Sequence, residues 1–284
     1  MGIIVPTFLP DEQNGVRPLM TDNLQSLLHP ALDIARKAGQ EILRIYETDF
    51  DVEAKADDSP LTAADLASHR TIIAGLEALT PDLPILSEES GEIPFETRSQ
   101  WPRYWLVDPL DGTKEFINRN GQFTVNIALI DGHKPVLGVV HVPVTGESYF
   151  GCDGVGAFSK NGDADETPIR AARLADGPVR VVGSRSHRGK SLDGYLERLG
   201  DHEMVPMGSS LKFCLVARGD ADVYPRLGLT SEWDTAAAQA VLEAAGGGVI
   251  TIEGEPLSYN AKADILNPFF IAFADGSRDW TRYL

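Results

Sequence analysis

Residues 105–116 read WLVDPLDGTKEF and join an apolar segment to a stretch rich in Asp, Pro and Gly. The apolar part is typical of a buried strand, and Gly112 permits a sharp change of chain direction after it. The proline that follows Asp108 favours an extended backbone there, so Asp108, Asp111 and the carbonyl of Leu110 can converge. Such oxygen ligands suit a hard divalent cation. A plain turn explains the same residues, and this stretch alone leaves both interpretations open.

Four further carboxylates stand at the ends of predicted elements. Glu88 and Glu89 end the strand PILSEES, and Asp234 begins the Ala-rich helix WDTAAAQAVL. Asp65 lies in the first turn predicted for the helix TAADLASH. Each has an ordinary explanation as a solvated pair, a helix cap or a partner of the helix dipole. Their shared position beside buried segments favours one common site, although the residues alone leave a metal site and unrelated caps equally open.

Hydrophobic periodicity divides the chain into two differently built halves. It predicts helices from Leu24 and from Thr62, and then the antiparallel strands FTVNIALIDG and KPVLGVVHVPVTGESYFG, which are separated by Asp-Gly and Thr-Gly turns. Strands and helices alternate after Pro178. We therefore predict an irregular extension over 1–21, an α+β half over 22–170 and an α/β half over 171–284.

Composition excludes several function classes. The 284 residues are 43% hydrophobic and carry a formal net charge of -17, which disfavours nucleic acid or an anionic membrane as a partner. A small phosphorylated ligand stays possible if cations offset the repulsion. The six histidines show no zinc-ligand spacing, and Cys152 and Cys214 are the only cysteines. With no signal peptide pattern and no membrane-spanning stretch, we expect a cytoplasmic protein.

Three motifs in order, SEES, DPLDGTKEF and WDTAAAQAVLEAAGG, resemble the signatures of the inositol monophosphatase superfamily over residues 24–275. Two longer stretches, DPLDGTKEFINRNGQFTVNIALIDG and GSSLKFCLVARGDADVYPR, are similar to its bacterial 3'(2'),5'-bisphosphate nucleotidase branch. That branch serves sulfate assimilation and removes the 3'-phosphate of adenosine 3',5'-bisphosphate. The resemblance implies a layered αβαβα sandwich of the sugar phosphatase type, with the active site between two halves.

The same resemblance implies a ligand set, and lithium inhibition is typical of the family. It implies two or three Mg²⁺ ions per site, held by Glu88, Asp108, the Leu110 carbonyl, Asp111 and Asp234. Asp65 and Thr113 would position and deprotonate the attacking water. Glu89 would act beside the ions, directly or through water.

Substrate recognition is expected mostly from the second half. Gly112 and Thr113 begin a helix whose backbone N–H groups can cradle the phosphate. The positions that match substrate contacts in nucleotidases are Ser184, His187, Gly208, Ser209, Ser210 and Lys212, and Arg226 is another candidate. Leu229 departs from the pattern, because nucleotidases of this branch commonly have proline there.

These observations predict a Mg²⁺-dependent hydrolase of the phosphate monoester in adenosine 3',5'-bisphosphate, with AMP and phosphate as products. The alternative is an inositol, histidinol-phosphate or sugar phosphatase on the same fold. A catalytically silent nucleotide or metal sensor is a further alternative, which the retained carboxylates disfavour. The sequence leaves monomer and homodimer both open.

Overall fold

The computed structural model describes residues 21–48, 60–183 and 190–284. The predicted extension therefore lies outside the described residues, except for Thr21, which begins the first helix. The helices are α1 (Thr21–Tyr46), α2 (Pro60–Leu79), α3 (Phe95–Arg98), α4 (Thr113–Ile117), α5 (Lys190–Leu199), α6 (Leu211–Ala217) and α7 (Ala236–Ala244). Two 3₁₀ turns add Glu232–Asp234 and Thr281–Tyr283. None of the helices in the described ranges is long and apolar enough to cross a membrane.

The first half builds a seven-stranded sheet in chain order. Its strands are β1 (Ile85–Ser87), β2 (Arg103–Asp111), β3 (Thr124–Asp131), β4 (Lys134–His141), β5 (Glu147–Cys152), β6 (Gly156–Asn161) and β7 (Thr167–Ile169). Only β1 and β2 pair in parallel, and each later neighbour is antiparallel. The predicted meander is thereby confirmed.

The second half builds a five-stranded sheet in the order β11-β12-β10-β8-β9. These strands are β8 (Val179–Gly183), β9 (His202–Pro206), β10 (Val223–Arg226), β11 (Gly248–Thr251) and β12 (Phe270–Phe273). The pairs of β8 with β9 and β10 are parallel, whereas β12 runs antiparallel to β10 and β11. The chain changes sheets between Ile169 and Val179, and the division into domains stays a prediction.

Alternating side chains of the first sheet explain how the layers stack. Trp105 and Val107 of β2 belong to the apolar cluster that contains α1 and α2, whereas Tyr104 and Leu106 belong to the cluster that contains α6 and α7. The second cluster also includes Phe270 and other residues of the second sheet, and α5 packs in a third cluster with β8 and β10. The resulting order of α1/α2, sheet, α6/α7, sheet and α5 confirms the predicted αβαβα sandwich.

Several predicted boundaries were wrong by a few residues. Strand β2 continues through Asp108 to Asp111, so the Asp-Pro-Leu-Asp stretch is part of the strand rather than a turn after it. Helix α2 begins at Pro60, which places Asp65 in its second turn. Asp234 ends a 3₁₀ turn and precedes α7 instead of beginning it. Helix α1 begins at Thr21, three residues before the predicted start at Leu24.

Candidate active site

A β-bulge in β2 creates the centre of the candidate site. Asp108 pairs with Asn126 and Asp111 with Thr124, so three residue steps on β2 face two on β3. The extra residue shifts the alternation of side chains that a regular strand would keep. The backbone N–H of Leu110 donates a 3.0 Å hydrogen bond to Asp108 Oδ1, which fixes the bulged backbone against that carboxylate.

The second half contributes Asp234 to the same place. The backbone N–H of Ser231 donates to Asp234 Oδ2 at 2.8 Å, so the 3₁₀ turn orients this carboxylate. Oxygen atoms of Asp108, Asp111 and Asp234 all lie within 4.8 Å of one another. Two elements that are far apart in sequence therefore present three carboxylates to one point, where a metal ion could bind.

Glu88, Glu89 and Asp65 form the neighbouring edge of this acidic cluster. The backbone N–H of Glu88 donates to Val107 O at 3.1 Å, which continues the pairing of β1 along β2. Burial and then the charges of Glu89 and Glu88 raise the pKa of Asp65 to about 8. Thr113 is exposed as the first residue of α4, directly after Gly112, whose φ is 99°.

The acidic cluster concentrates carboxylates whose pKa values are raised. Burial, followed by the charges of Asp111 and Glu88, raises the pKa of Asp108 well above its usual range. Burial and Asp111 likewise raise the pKa of Asp234 to about 7. Burial also raises the pKa of Glu88, although its side chain is exposed on the rim of the cluster. Between described residues, no ion pair uses any of these carboxylates. Clustered oxygen ligands without a basic partner fit a divalent cation.

Ser209 and Ser210 contact Asp111 rather than open solvent. Asp111 Oδ2 accepts hydrogen bonds from the Ser209 hydroxyl, from Ser210 N at 2.6 Å and from Ser210 Oγ at 2.7 Å. Ser210 Oγ also approaches the Asp234 carbonyl at 2.7 Å. Thr124 and Asn126 of β3 complete the network, with contacts of 2.6 Å to Ser209 Oγ and 2.8 Å to Ser210 Oγ. These donors occupy one oxygen of Asp111 and leave the other for a ligand.

A cleft of about 160 Å³ adjoins the cluster on the same side. Its lining includes Asp111, Gly112, Ser210, Lys212, Arg226 and Asp234. Lys212 is buried, donates from Nζ to the Ser209 carbonyl at 2.6 Å, and has a pKa that burial lowers to about 8. Arg226 donates to the Leu229 carbonyl at 2.7 Å, and its buried Nε has no hydrogen-bond partner among the described residues. Two cations therefore stand beside an anionic cluster.

The remaining predicted substrate residues are placed differently. Gly208 is buried and precedes Ser209 of the cleft lining. Its N–H donates to Gln122 Oε1 at 3.0 Å, and an added Cβ would meet Glu115 Cγ at 2.8 Å. Ser184 and His187 lie outside the described residues.

A model of the inositol monophosphatase family matches residues 23–271 of the chain. The chain belongs to the inositol monophosphatase family. It is 51% identical over 246 residues to the 3'(2'),5'-bisphosphate nucleotidase CysQ of Escherichia coli (strain K12), which covers 86% of this chain and 98% of that protein. The corresponding nucleotidase of Haemophilus influenzae is 39% identical, covering 90% of this chain and 96% of that protein.

Solved structures agree with this family assignment. The crystal structure of CysQ from Bacteroides thetaiotaomicron, described as a bacterial member of the inositol monophosphatase family, superimposes with a TM-score of 0.82 at 45% identity, over 90% of this chain and 98% of that one. An inositol monophosphatase from Zymomonas mobilis has the same fold, with a TM-score of 0.73 at 24% identity.

Sequence analysis did not identify several buried polar residues that surround the candidate carboxylates of this inositol monophosphatase family member. Thr124 and Asn126 are buried polar residues two positions apart on an otherwise apolar strand. Because side chains alternate along a strand, that spacing places both residues on one face of β3. Two buried polar residues on one face could have indicated a functional site. Arg98, Glu232 and Asn260 are buried as well. No local pattern marks these three, because their contacts lie far apart in the chain.

Proposed function

We propose that the chain is a Mg²⁺-dependent phosphomonoesterase that converts adenosine 3',5'-bisphosphate and water into AMP and inorganic phosphate. One observation supports the proposal most strongly. The carboxylates of Asp108, Asp111 and Asp234, which could bind a metal ion, lie next to a cleft that Lys212 and Arg226 line. The bacterial nucleotidases that the chain resembles support the same substrate.

Five groups would hold the ions: the carboxylates of Glu88, Asp108, Asp111 and Asp234, and the carbonyl of Leu110. The set offers only oxygen ligands, as Mg²⁺ prefers. Bound divalent ions lower the pKa of a water molecule and neutralise the charge that develops on phosphoryl oxygens. Asp111 accepts its hydrogen bonds from neutral donors, which add no positive charge beside the proposed ligand.

Asp65 is the proposed acceptor of the proton of the attacking water. Its raised pKa of about 8 brings it close to the range in which a general base is effective at neutral pH. Thr113 has the hydroxyl that would orient the water toward Asp65. Glu89 would lie beside this pair, because its charge acts on Asp65.

Lys212 and Arg226 provide the proposed basis of substrate choice. A bisphosphate brings a second phosphate that needs cationic partners away from the reacting one, whereas an inositol monophosphate has none. Both side chains line the cleft beside Asp111. Ser209 and Ser210 would act on the substrate only through Asp111 or through their backbone.

A substrate panel with Mg²⁺, with and without Li⁺, tests the proposal. We expect kcat/KM to be higher on adenosine 3',5'-bisphosphate than on inositol 1-phosphate, and Li⁺ to inhibit both. Arg226→Gln should lower kcat/KM on the bisphosphate and leave the inositol ester nearly unchanged. Higher kcat/KM of the wild type on the inositol ester would contradict the proposed substrate while leaving phosphatase activity in place.

A further inference from the structure

Arg98 is a buried cation at the end of the short helix α3, close to the acidic site but not on it. It is 4% exposed, and its guanidinium contacts the second half of the chain. It donates to the side-chain oxygen of Asn260 and to the carbonyls of Lys262 and Ala263, the latter two at 3.2 Å and 2.6 Å. One side chain of the first half therefore holds a four-residue stretch of the second.

Asn260 forms hydrogen bonds with both Arg98 and Glu232. Its φ of 51° lies in the left-handed region, which asparagine tolerates better than most residues. Its Nδ2 donates back to the Arg98 carbonyl at 2.7 Å, and its backbone N–H donates to Glu232 Oε2 at 2.9 Å. Asn260 thus connects Arg98 to the 3₁₀ turn that ends at Asp234.

The segment 260–267 also lies along the backbone of that turn. Glu232 N donates to Ile265 O at 2.9 Å, and Asn267 N donates to Thr230 O at 2.8 Å. The Asn267 side chain donates to the Ser231 carbonyl at 2.8 Å. Segment 260–267 therefore contacts the same turn whose Ser231 N–H donates to the Asp234 carboxylate.

We propose that Arg98 is a positioning residue for Asp234 that acts through Asn260 and Glu232 and sets the affinity of the acidic cluster for a divalent cation. This inference rests on the proposed function, in which Asp234 is a metal ligand. Groups that orient metal ligands commonly change metal affinity by ten- to a hundredfold when altered. Arg98 can do this without lowering the charge of the cluster, since its own hydrogen bonds go to an amide and to carbonyls.

Two variants test the network from its two ends. Arg98→Lys keeps the charge but loses the planar fork that reaches Asn260 and the carbonyls together. Asn260→Gly tolerates the left-handed backbone and keeps the N–H bond to Glu232, but it removes both contacts with Arg98. The matched control is Arg180→Lys, because Arg180 of β8 likewise bridges side-chain oxygens, those of Asp222, and a backbone carbonyl, that of Gly219. The charges that act on Arg180 come from Asp222, Asp220 and Glu203, none of which belongs to the cluster.

Calorimetric titration of the substrate-free proteins with Mg²⁺ is the deciding measurement, and thermal unfolding is recorded in parallel. We expect Arg98→Lys and Asn260→Gly to weaken Mg²⁺ binding about tenfold, and Arg180→Lys to change it less than twofold at a similar loss of thermal stability. At saturating Mg²⁺ the KM for substrate should stay near the wild-type value. If Arg98→Lys does not fold, Asn260→Gly decides alone.

Unchanged Mg²⁺ affinity in Asn260→Gly, or an equal loss in Arg180→Lys, would show that Arg98 only stabilises the fold and would overturn the inference. A wild-type protein that binds no divalent cation would overturn the proposed function and this inference together. The two failures are distinguishable, because the wild-type titration separates them.

Discussion

Two networks flank the acidic cluster, and they hold its carboxylates in different ways. On the cleft side, a hydroxyl network of Thr124, Asn126, Ser209 and Ser210 contacts Asp111 directly. A second, guanidinium network of Arg98, Asn260 and Glu232 leads to Asp234 through the backbone of its turn. Both join the first half of the chain to the second.

This difference shows where positively charged side chains lie relative to the carboxylates of the cluster. Neutral donors contact Asp111 directly, whereas the two cations contact other residues of the two networks. Lys212 donates to the Ser209 carbonyl, and Arg98 donates to the Asn260 amide oxygen. A basic side chain paired with Asp111 or Asp234 would neutralise the charge that a divalent ion needs. Hydroxyl and amide donors orient the oxygens and leave that charge in place.

The largest effect is expected when the negative charge of the Asp111 carboxylate, which the hydroxyl network contacts, is removed. Asp111→Asn keeps an oxygen for Ser209 and Ser210 but loses the negative charge. We expect kcat/KM for phosphate release to fall by about 10³ or more, equivalent to about 4 kcal/mol of transition-state stabilisation. Steady-state phosphate release measures it.

Asp131→Asn is the control for that substitution. Asp131 forms a partly exposed ion pair with Arg103 at 2.9 Å at the far end of β3. Its activity should stay within twofold of the wild type. Unchanged phosphate release in Asp111→Asn would contradict the metal-hydrolase assignment itself and would favour a sensor.

The second largest effect is expected when the Ser210 hydroxyl is removed and every charged side chain is kept. Ser210→Ala loses the contacts of Oγ with Asp111 Oδ2 and the Asp234 carbonyl, and it leaves Asn126 Nδ2 without its acceptor. We expect Mg²⁺ affinity to fall about ten- to a hundredfold. Calorimetric titration without substrate measures it.

Ser148→Ala separates this effect from a loss of stability. Ser148 is also buried, and its hydroxyl contacts His141 Nδ1 at 2.8 Å away from the cluster. A buried hydrogen bond lost at either position costs about 1–3 kcal/mol of the free energy of unfolding. Equal Mg²⁺ affinities in the two variants would show that the hydroxyl network stabilises the fold without tuning the ligand.

Local features of the sequence predicted the carboxylates and the two differently built halves, and the family resemblance implied the layered fold, but neither predicted the two networks. Strand β2 and its acidic end are visible because side-chain alternation and neighbouring residues define them within ten positions. The bulge escaped prediction, since a shift of one residue in register depends on pairing with β3. Ser210 reaches Asp111 across 99 positions and Arg98 reaches Asn260 across 162. Such contacts follow from tertiary structure, which sequence periodicity does not encode.

The raised pKa values of the cluster carboxylates predict how the stability of the metal-free protein depends on pH. Metal-free protein should lose stability as pH rises, because Asp65 and Asp234 have folded-state pKa values of about 8 and about 7, above their usual 3.8. Their contribution is fully present below about pH 4 and is lost as pH rises through those values, since the folded state then binds more protons than the unfolded one. Thermal unfolding between pH 6.5 and 7.5 should show the midpoint falling by several degrees; this range lies below the pKa of about 8 of Lys212, whose lowered pKa gives the opposite trend at higher pH.

That pH window avoids an opposing contribution from His141. Burial lowers the pKa of His141 to about 4, so its effect on stability lies below its usual pKa of 6.5. Mg²⁺ at a hundred times its Kd should add about 2.7 kcal/mol to the free energy of unfolding. Asp65→Asn should flatten the pH dependence of the metal-free protein. A midpoint that rises with pH over this range would contradict the raised pKa values of the cluster carboxylates.

The smallest expected effect concerns Lys212, the cation behind the hydroxyl network. Its pKa is about 8, so the ammonium that would bind the second phosphate is lost as pH rises past that value. We expect the ratio of kcat/KM on adenosine 3',5'-bisphosphate to that on inositol 1-phosphate to fall about threefold between pH 7.5 and 8.5, as the charged fraction falls. Taking the ratio cancels the titration of Asp65, which acts on both substrates. A constant ratio would show that the ammonium of Lys212 supports Ser209 alone and that Arg226 provides the selectivity.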